Sequence, residues 1–156
     1  FDEANPAGTD IDIWVRLSEC YTSESGRDRL GGCMNGYLGV EHNGDTLPDG
    51  SLDPAGIIAS TDTARFKSKS TVKYGDGYLT KGDFTFRGVT DEVDLFFRYY
   101  GRQEYASFTG AVIIKSSFQG EFIFKAKSVF GVDTDNIGSP DGEVKAIAEL
   151  IYNIPK

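Results

Sequence analysis

The chain has 156 residues, enough for one domain with a real core, since a domain of this size buries roughly 68–70% of the surface its unfolded chain exposes. Its 24 acidic and 16 basic residues give a net charge of −8, which argues against nucleic acid and anionic lipid surfaces as long-range partners. The 19 glycines, five prolines and short apolar runs exclude disorder and a membrane-spanning helix, so a soluble globular domain is expected.

Phe1-Asp2-Glu3 carries no signal-peptide pattern and reads like the start of a mature or trimmed chain. Ile11, Ile13, Val15 and Leu17 alternate with Asp10, Asp12, Trp14 and Arg16, which predicts a half-buried strand with an aliphatic inner side. From Cys20 to Gly36 no period is visible, although SESGRDRL suits a short helix of about two turns capped by Ser23 or Ser25. Cys20 and Cys33 are the only cysteines and flank this polar, glycine-rich stretch, so a disulfide is predicted, contributing about 3 kcal/mol through loop closure. A disulfide implies an oxidising compartment; two reduced thiols are the alternative. A two-cysteine metal site lacks partners, because the single histidine, His42, falls in the turn-rich stretch HNGDTLPDGSLD, which reads as a long surface loop.

The segment from Ala64 to Tyr100 predicts three antiparallel strands with one apolar face. In the first, Phe66, Ser68, Ser70 and Val72 oppose Arg65, Lys67, Lys69 and Lys73. In the second, Tyr78, Thr80, Gly82, Phe84 and Phe86 oppose Leu79, Lys81, Asp83, Thr85 and Arg87. In the third, Val93, Leu95, Phe97 and Tyr99 oppose Asp94, Phe96, Arg98 and Tyr100. Tyr74-Gly75-Asp76-Gly77 and Arg87-Gly88-Val89-Thr90 supply the turns. The basic stripe Arg65, Lys67, Lys69, Lys73 reads as a solvated outer face that discourages edge pairing, with docking of an anionic head group as the alternative. Further strands are predicted at Phe108–Ser116, Gly120–Ser128 and Glu143–Ile154, the last carrying Val144, Ala146, Ala148, Leu150 and Tyr152 on one face. Seven to nine strands without a long helix predict an all-β fold, either a closed antiparallel barrel or a sandwich.

The runs FKSKS, GDGYLTKGDFTFRGVTDEV and SVFGVDTDNIG, followed by EVKAIAELIYNI, resemble in content and order the YceI-like family of polyisoprenoid-binding lipid carriers. The pieces that carry the resemblance are Phe66-x-Ser68, the Gly82-Asp83-Phe84-Thr85-x-x-Gly88-Val89-Thr90 run, and Phe130-Gly131-Val132 before a final strand. A looser match places Arg27-Asp28 at the family's Arg-Asp helix. The resemblance implies a lipocalin-like antiparallel β-barrel of about eight strands, with at most one short helix, spanning residues 1–156 as a single domain. It also implies a periplasmic or secreted carrier that encloses a long isoprenoid chain, such as a polyprenyl tail or an isoprenoid quinone, and needs no cofactor or metal. The family opens with a further pair of strands before the position of Phe1; either these are absent here, or segments such as Ile57-Ile58 and Val112-Ile113-Ile114 complete the wall.

The chemistry on offer agrees with a binder. One histidine in a loop leaves no serine-histidine-aspartate constellation, and Asp10 and Asp12 face solvent, so no catalytic residue is nominated. The acidic segment VDTDNIGSPDGEV does not have the spacing of an EF-hand and reads as a turn before the last strand. The nominated ligand-binding wall is Phe66, Phe84, Phe86, Val93, Leu95, Phe97, Val112, Ile114, Phe122, Phe124, Ala146, Ala148 and Leu150, with Tyr99, Tyr100 and Tyr152 proposed for its mouth. Burying about 15 methylene equivalents at about 0.8 kcal/mol each gives about 12 kcal/mol, enough for nanomolar affinity from water. The partner that the resemblance implies is a long-chain isoprenoid lipid, not nucleic acid, in a protein expected not to be integral to a membrane; a homodimer is left open. The alternative is a carbohydrate-binding or protein-interaction β-sandwich, using Trp14, Phe96 and Tyr100 as a stacking platform.

Overall fold

The structure, a computed structural model, describes residues 1–19, 38–106, 110, 112–132 and 140–155, the last four by backbone alone. One antiparallel sheet runs in chain order through β1 (Asp12–Arg16), β2 (Thr63–Tyr74), β3 (Gly77–Phe86), β4 (Val89–Ala106), β5 (Val112–Lys125) and β6 (Glu143–Pro155). It curls into a half-barrel, and the helical elements described in full are short 3-10 turns. The fold is thus all-β and lipocalin-like, with six described strands where seven to nine were expected. Cys20, Cys33, the SESGRDRL segment and the stretch from Asp133 to Ser139 lie outside the described residues.

Alternation assigns the faces of β3 and β4 correctly. Tyr78, Phe84, Phe86, Val93, Leu95 and Phe97 are all buried on the concave side, because period-two side chains bring one set to the core. Their register puts Phe66 opposite Phe84 and Gly82 opposite Val93. Gly82 has to be glycine, since a Cβ there would stand 2.5 Å from Phe66 Cζ and 2.6 Å from the Lys67 carbonyl oxygen.

Two departures from strict alternation have local causes. A bulge between Ser68 and Ser70 inserts one residue into β2, so that Ser70 pairs with Lys81 and Thr71 with Thr80. Beyond it the faces exchange, and Thr71 becomes buried while Val72 is 55% exposed. Lys73, expected on the outer stripe, instead lies over the Tyr78 ring, with Nζ 4.2 Å from its centroid. In β4 a second irregularity between Tyr99 and Arg102 lets the strand run on to Ala106.

The strands predicted at Phe108–Ser116 and Gly120–Ser128 are one strand, β5, joined through Phe118. Ser116, Phe118, Gly120, Phe122 and Phe124 keep a single alternation, and Phe118 packs 4.9 Å from Tyr99, so the chain gains more by continuing than by turning. Ile57 and Ile58 do not complete the wall. Ile57 makes an isolated bridge to His42, and Ile58 is 39% exposed.

One end of the half-barrel is filled. Phe84, Phe86, Phe124 and Phe130 form a ring cluster with centroid spacings of 4.9–6.0 Å, joined by Leu17, Ala126 and Val132. Arg87 fastens this end. It takes φ = +52° in the β3–β4 turn beside Gly88 at +75°, the primed geometry that matches strand twist. Its guanidinium donates to the Gly131 carbonyl at 2.8 Å and to Glu41 Oε1 at 2.9 Å. Asp62, itself buried, accepts from the Ser18 backbone N–H at 2.8 Å and so fixes the exit of β1.

Candidate functional site

The open half of the concave face forms a cleft of about 790 Å³, within the range of ordinary small-molecule sites. Its floor is apolar and comes from four strands: Phe66 of β2, Leu95 and Phe97 of β4, Phe118, Gly120 and Phe122 of β5, and Ala148 and Leu150 of β6. Its roof is the segment before and within β1, contributing Phe1, Asp2, Asn5, Gly8–Asp10, Ile11, Asp12 and Ile13. Gly120 keeps the floor low, because a Cβ there would sit 3.2 Å from Leu95 Cδ1.

The roof is held by short-range polar contacts. Pro6–Gly8 make a 3-10 turn closed by Thr9 N–H to the Pro6 carbonyl at 3.0 Å. Ile11 and Ser68 exchange two bonds of 2.8 Å, Ile11 N–H to Ser68 Oγ and Ser68 N–H to the Ile11 carbonyl. Asp12 binds the Arg65 guanidinium through both carboxylate oxygens, which holds its carboxyl below the ordinary 3.8. The Tyr78 hydroxyl donates to Glu3 Oε1 at 3.3 Å. Phe1 is seated among aromatic rings, edge-on to Tyr78 at 4.8 Å, Tyr99 at 5.1 Å, Phe97 at 5.5 Å and Phe118 at 6.0 Å. The cleft therefore has an apolar floor and a partly polar roof, suited to an amphiphile with a long apolar part. Among the described residues, neither histidine, cysteine, serine, lysine nor arginine lines it.

Of the nominated wall residues, the structure brings Phe66, Leu95, Phe97, Phe122, Ala148 and Leu150 together around this cleft. Phe84, Phe86, Val93 and Phe124 share their face but belong to the packed cluster at the filled end, with Ala146 against it. Tyr99 lies beyond Phe1, and Val112 and Ile114 lie farther out on β5, outside the cleft lining. Tyr100 is not at the mouth: its hydroxyl donates to Gln119 Oε1 at 3.0 Å on the convex side, because it follows Tyr99 in the strand alternation. Tyr152 pairs by backbone with Ser116, and its side chain lies outside the described residues. The roof was missed as a site. Ile11 and Ile13 read as inward-facing, yet Phe1 and Pro6–Asp10 carry no period that would announce a cover.

The basic stripe and the histidine have structural partners. On the convex face Lys69 pairs with Asp83 and Glu92, and Lys81 with Glu92 and Asp94, so cross-strand carboxylates answer the basic stripe. His42 is a loop staple away from the cleft, with Nδ1 accepting from Gly44 N–H at 2.9 Å and Nε2 2.6 Å from the Asp53 carbonyl. Among the described residues no group of three or more histidine, cysteine or acidic side chains is placed to hold a metal, and no helix is long and apolar enough to cross a membrane.

A curled antiparallel half-barrel with an apolar concave cleft is consistent with a lipocalin-like barrel. Solved structures share the fold: the YceI protein of Campylobacter jejuni superposes with a TM-score of 0.61 at 17% identity, over 100% of this chain and 78% of that one. A mutant of that protein with a monobromobimane guest gives 0.60 at 19% identity with the same coverage. The chain has a YceI-like fold. No family model matches the sequence, and no curated protein sequence does.

Proposed function

We propose that the protein binds a long-chain isoprenoid lipid, a polyprenyl chain or an isoprenoid quinone, and sequesters or carries it without chemical change. The observation that supports this most is the 790 Å³ cleft, floored by aromatic and aliphatic side chains from four strands, its described lining offering only the roof carboxylates and the Thr9 hydroxyl as reactive groups, with no histidine, cysteine or lysine beside them. Asp12 on that roof is engaged by Arg65, and Asp2 accepts from the Ala4 N–H at 2.9 Å. Burial in such a cleft competes with burial in a bilayer, so net transfer is close to balanced, which a carrier needs in order to load and unload. A periplasmic or secreted location is part of the proposal and rests on the cysteine pair and the likeness to the fold. The platform of the alternative sandwich reading has no support: Trp14 lies in the row of Arg65, Thr85 and Thr90, about 20 Å along β4 from Phe96 at ~3.4 Å per residue.

Native mass spectrometry of the purified protein, followed by organic extraction, tests the proposal. A copurifying isoprenoid near one per chain, or stoichiometric uptake of added polyprenyl lipid, is expected. A clean unliganded mass with no uptake refutes it.

A further inference from the structure

We propose that Phe1 is the stop that sets how long an apolar chain the cleft accepts. This rests on the carrier reading above and adds a specificity-determining residue to it.

The two ends of the cleft are closed in different ways. At one end Phe84, Phe124 and Phe130 are packed ring on ring within the main core, with Phe84 and Phe124 centroids 4.9 Å apart. A ligand cannot extend there without taking the core apart. At the other end the closure, among the described residues, is the ring of Phe1. Phe97 and Phe118 line the open cleft, whereas Tyr78 and Tyr99 touch Phe1 but not the cleft, so the ring stands between the two pairs. Past it the concave face continues on β5 through Ser116 and Ile114. All four of its partners meet the Phe1 ring at 70–80°, so together they form an aromatic socket that a flat isoprenoid segment can enter in its place.

Volume gives the same answer. At about 30 Å³ per non-hydrogen atom, the cleft holds on the order of 25 such atoms, fewer than the longest polyprenyl tails carry. The Phe1 ring is about the size of one isoprene unit. Removing it should lengthen the accepted chain by about that much and open the way to Tyr99. The Tyr78 hydroxyl bond to Glu3 keeps the roof attached to β3 when the ring is lost.

The test is a binding series with farnesol, geranylgeraniol and solanesol, read by native mass spectrometry and tyrosine fluorescence. The unsubstituted chain, Phe1→Ala and Phe1→Trp are compared. Phe1→Ala should shift the ratio of affinities toward the longest alcohol by about tenfold or more, and Phe1→Trp should shift it toward farnesol. Phe1→Trp keeps the test open if Phe1→Ala does not fold. Binding with the same length preference in all three proteins overturns the role of Phe1 and leaves the carrier reading standing. No binding of any alcohol by any of them removes the carrier reading, and this inference with it.

Discussion

Thr71 and Thr80 face each other across β2 and β3, 1% and 0% exposed, with their hydroxyl oxygens 2.9 Å apart. Thr71→Val replaces one hydroxyl by a methyl of nearly the same size and leaves the other without its partner. The cavity term is small, so the cost is mainly that of an unsatisfied buried hydroxyl, about 1–2 kcal/mol, and Thr80→Val should cost the same. Replacing both removes the polar pair altogether. The double variant should therefore be more stable than either single one, with a coupling energy of about 1–3 kcal/mol. Urea denaturation followed by tyrosine fluorescence, with m-values checked for constancy, measures all four proteins. Additive single effects would refute the register beyond the β2 bulge, because only that shift brings the two hydroxyls together.

Burial predicts that Phe86→Ala costs about 3–5 kcal/mol, whereas the bulge, by turning Val72 outward, predicts that Val72→Ala costs less than about 0.5 kcal/mol; comparable losses in thermal melts would contradict the face exchange. Gly82→Ala should lower the melting temperature by several degrees, since its new methyl meets both the Phe66 ring and the Lys67 carbonyl; an unchanged melt would show that the Phe66 ring yields freely. Asp12 and Asp76 are held below the ordinary 3.8 by hydrogen bonds from Arg65 and Arg98. As pH falls, the unfolded chain therefore takes up these protons first, so the stability both pairs contribute above pH 4 is lost as pH drops through and below 3.8. Asp12→Asn should flatten that part of an acid-unfolding curve, and an unaltered curve would show that the pair contributes nothing. Ala148→Trp projects into the cleft from an exposed position on β6, so extracted lipid should fall sharply with little change in melting; undiminished lipid would remove Ala148 from the wall.

The faces of β3 and β4 were legible because each keeps a single alternation from Tyr78 to Phe86 and from Val93 to Tyr99. The same kind of pattern also named most of the cleft floor, Phe66, Leu95, Phe97, Phe122, Ala148 and Leu150, and missed Phe118 and Gly120. It failed where the ladder gains a residue: nothing in Lys67–Lys73 marks the bulge, and one inserted residue moved Val72 outward and Lys73 inward. It also split one strand into two, since Phe118-Gln119-Gly120 resembles a break and is held straight by the rings of Tyr99 and Phe97. Alternation alone could not tell the packed end from the open end, as Phe84 and Phe66 look alike until Phe130 is placed over one of them. The roof was invisible for a simpler reason. A cover made of a 3-10 turn and one aromatic ring has no period to detect.

Arg87 gives the filled end a property that no contact there has alone. The β3–β4 corner, the strand approach at Glu41 and the turn at Gly131 lie far apart in sequence, yet one guanidinium joins them. Its left-handed backbone costs of order 1 kcal/mol and is kept by those bonds, so releasing any one of them weakens the hold on the other two. Amide protons in the three segments should accordingly exchange through a common opening, as one unit of local unfolding, at a rate set apart from that of the cleft roof.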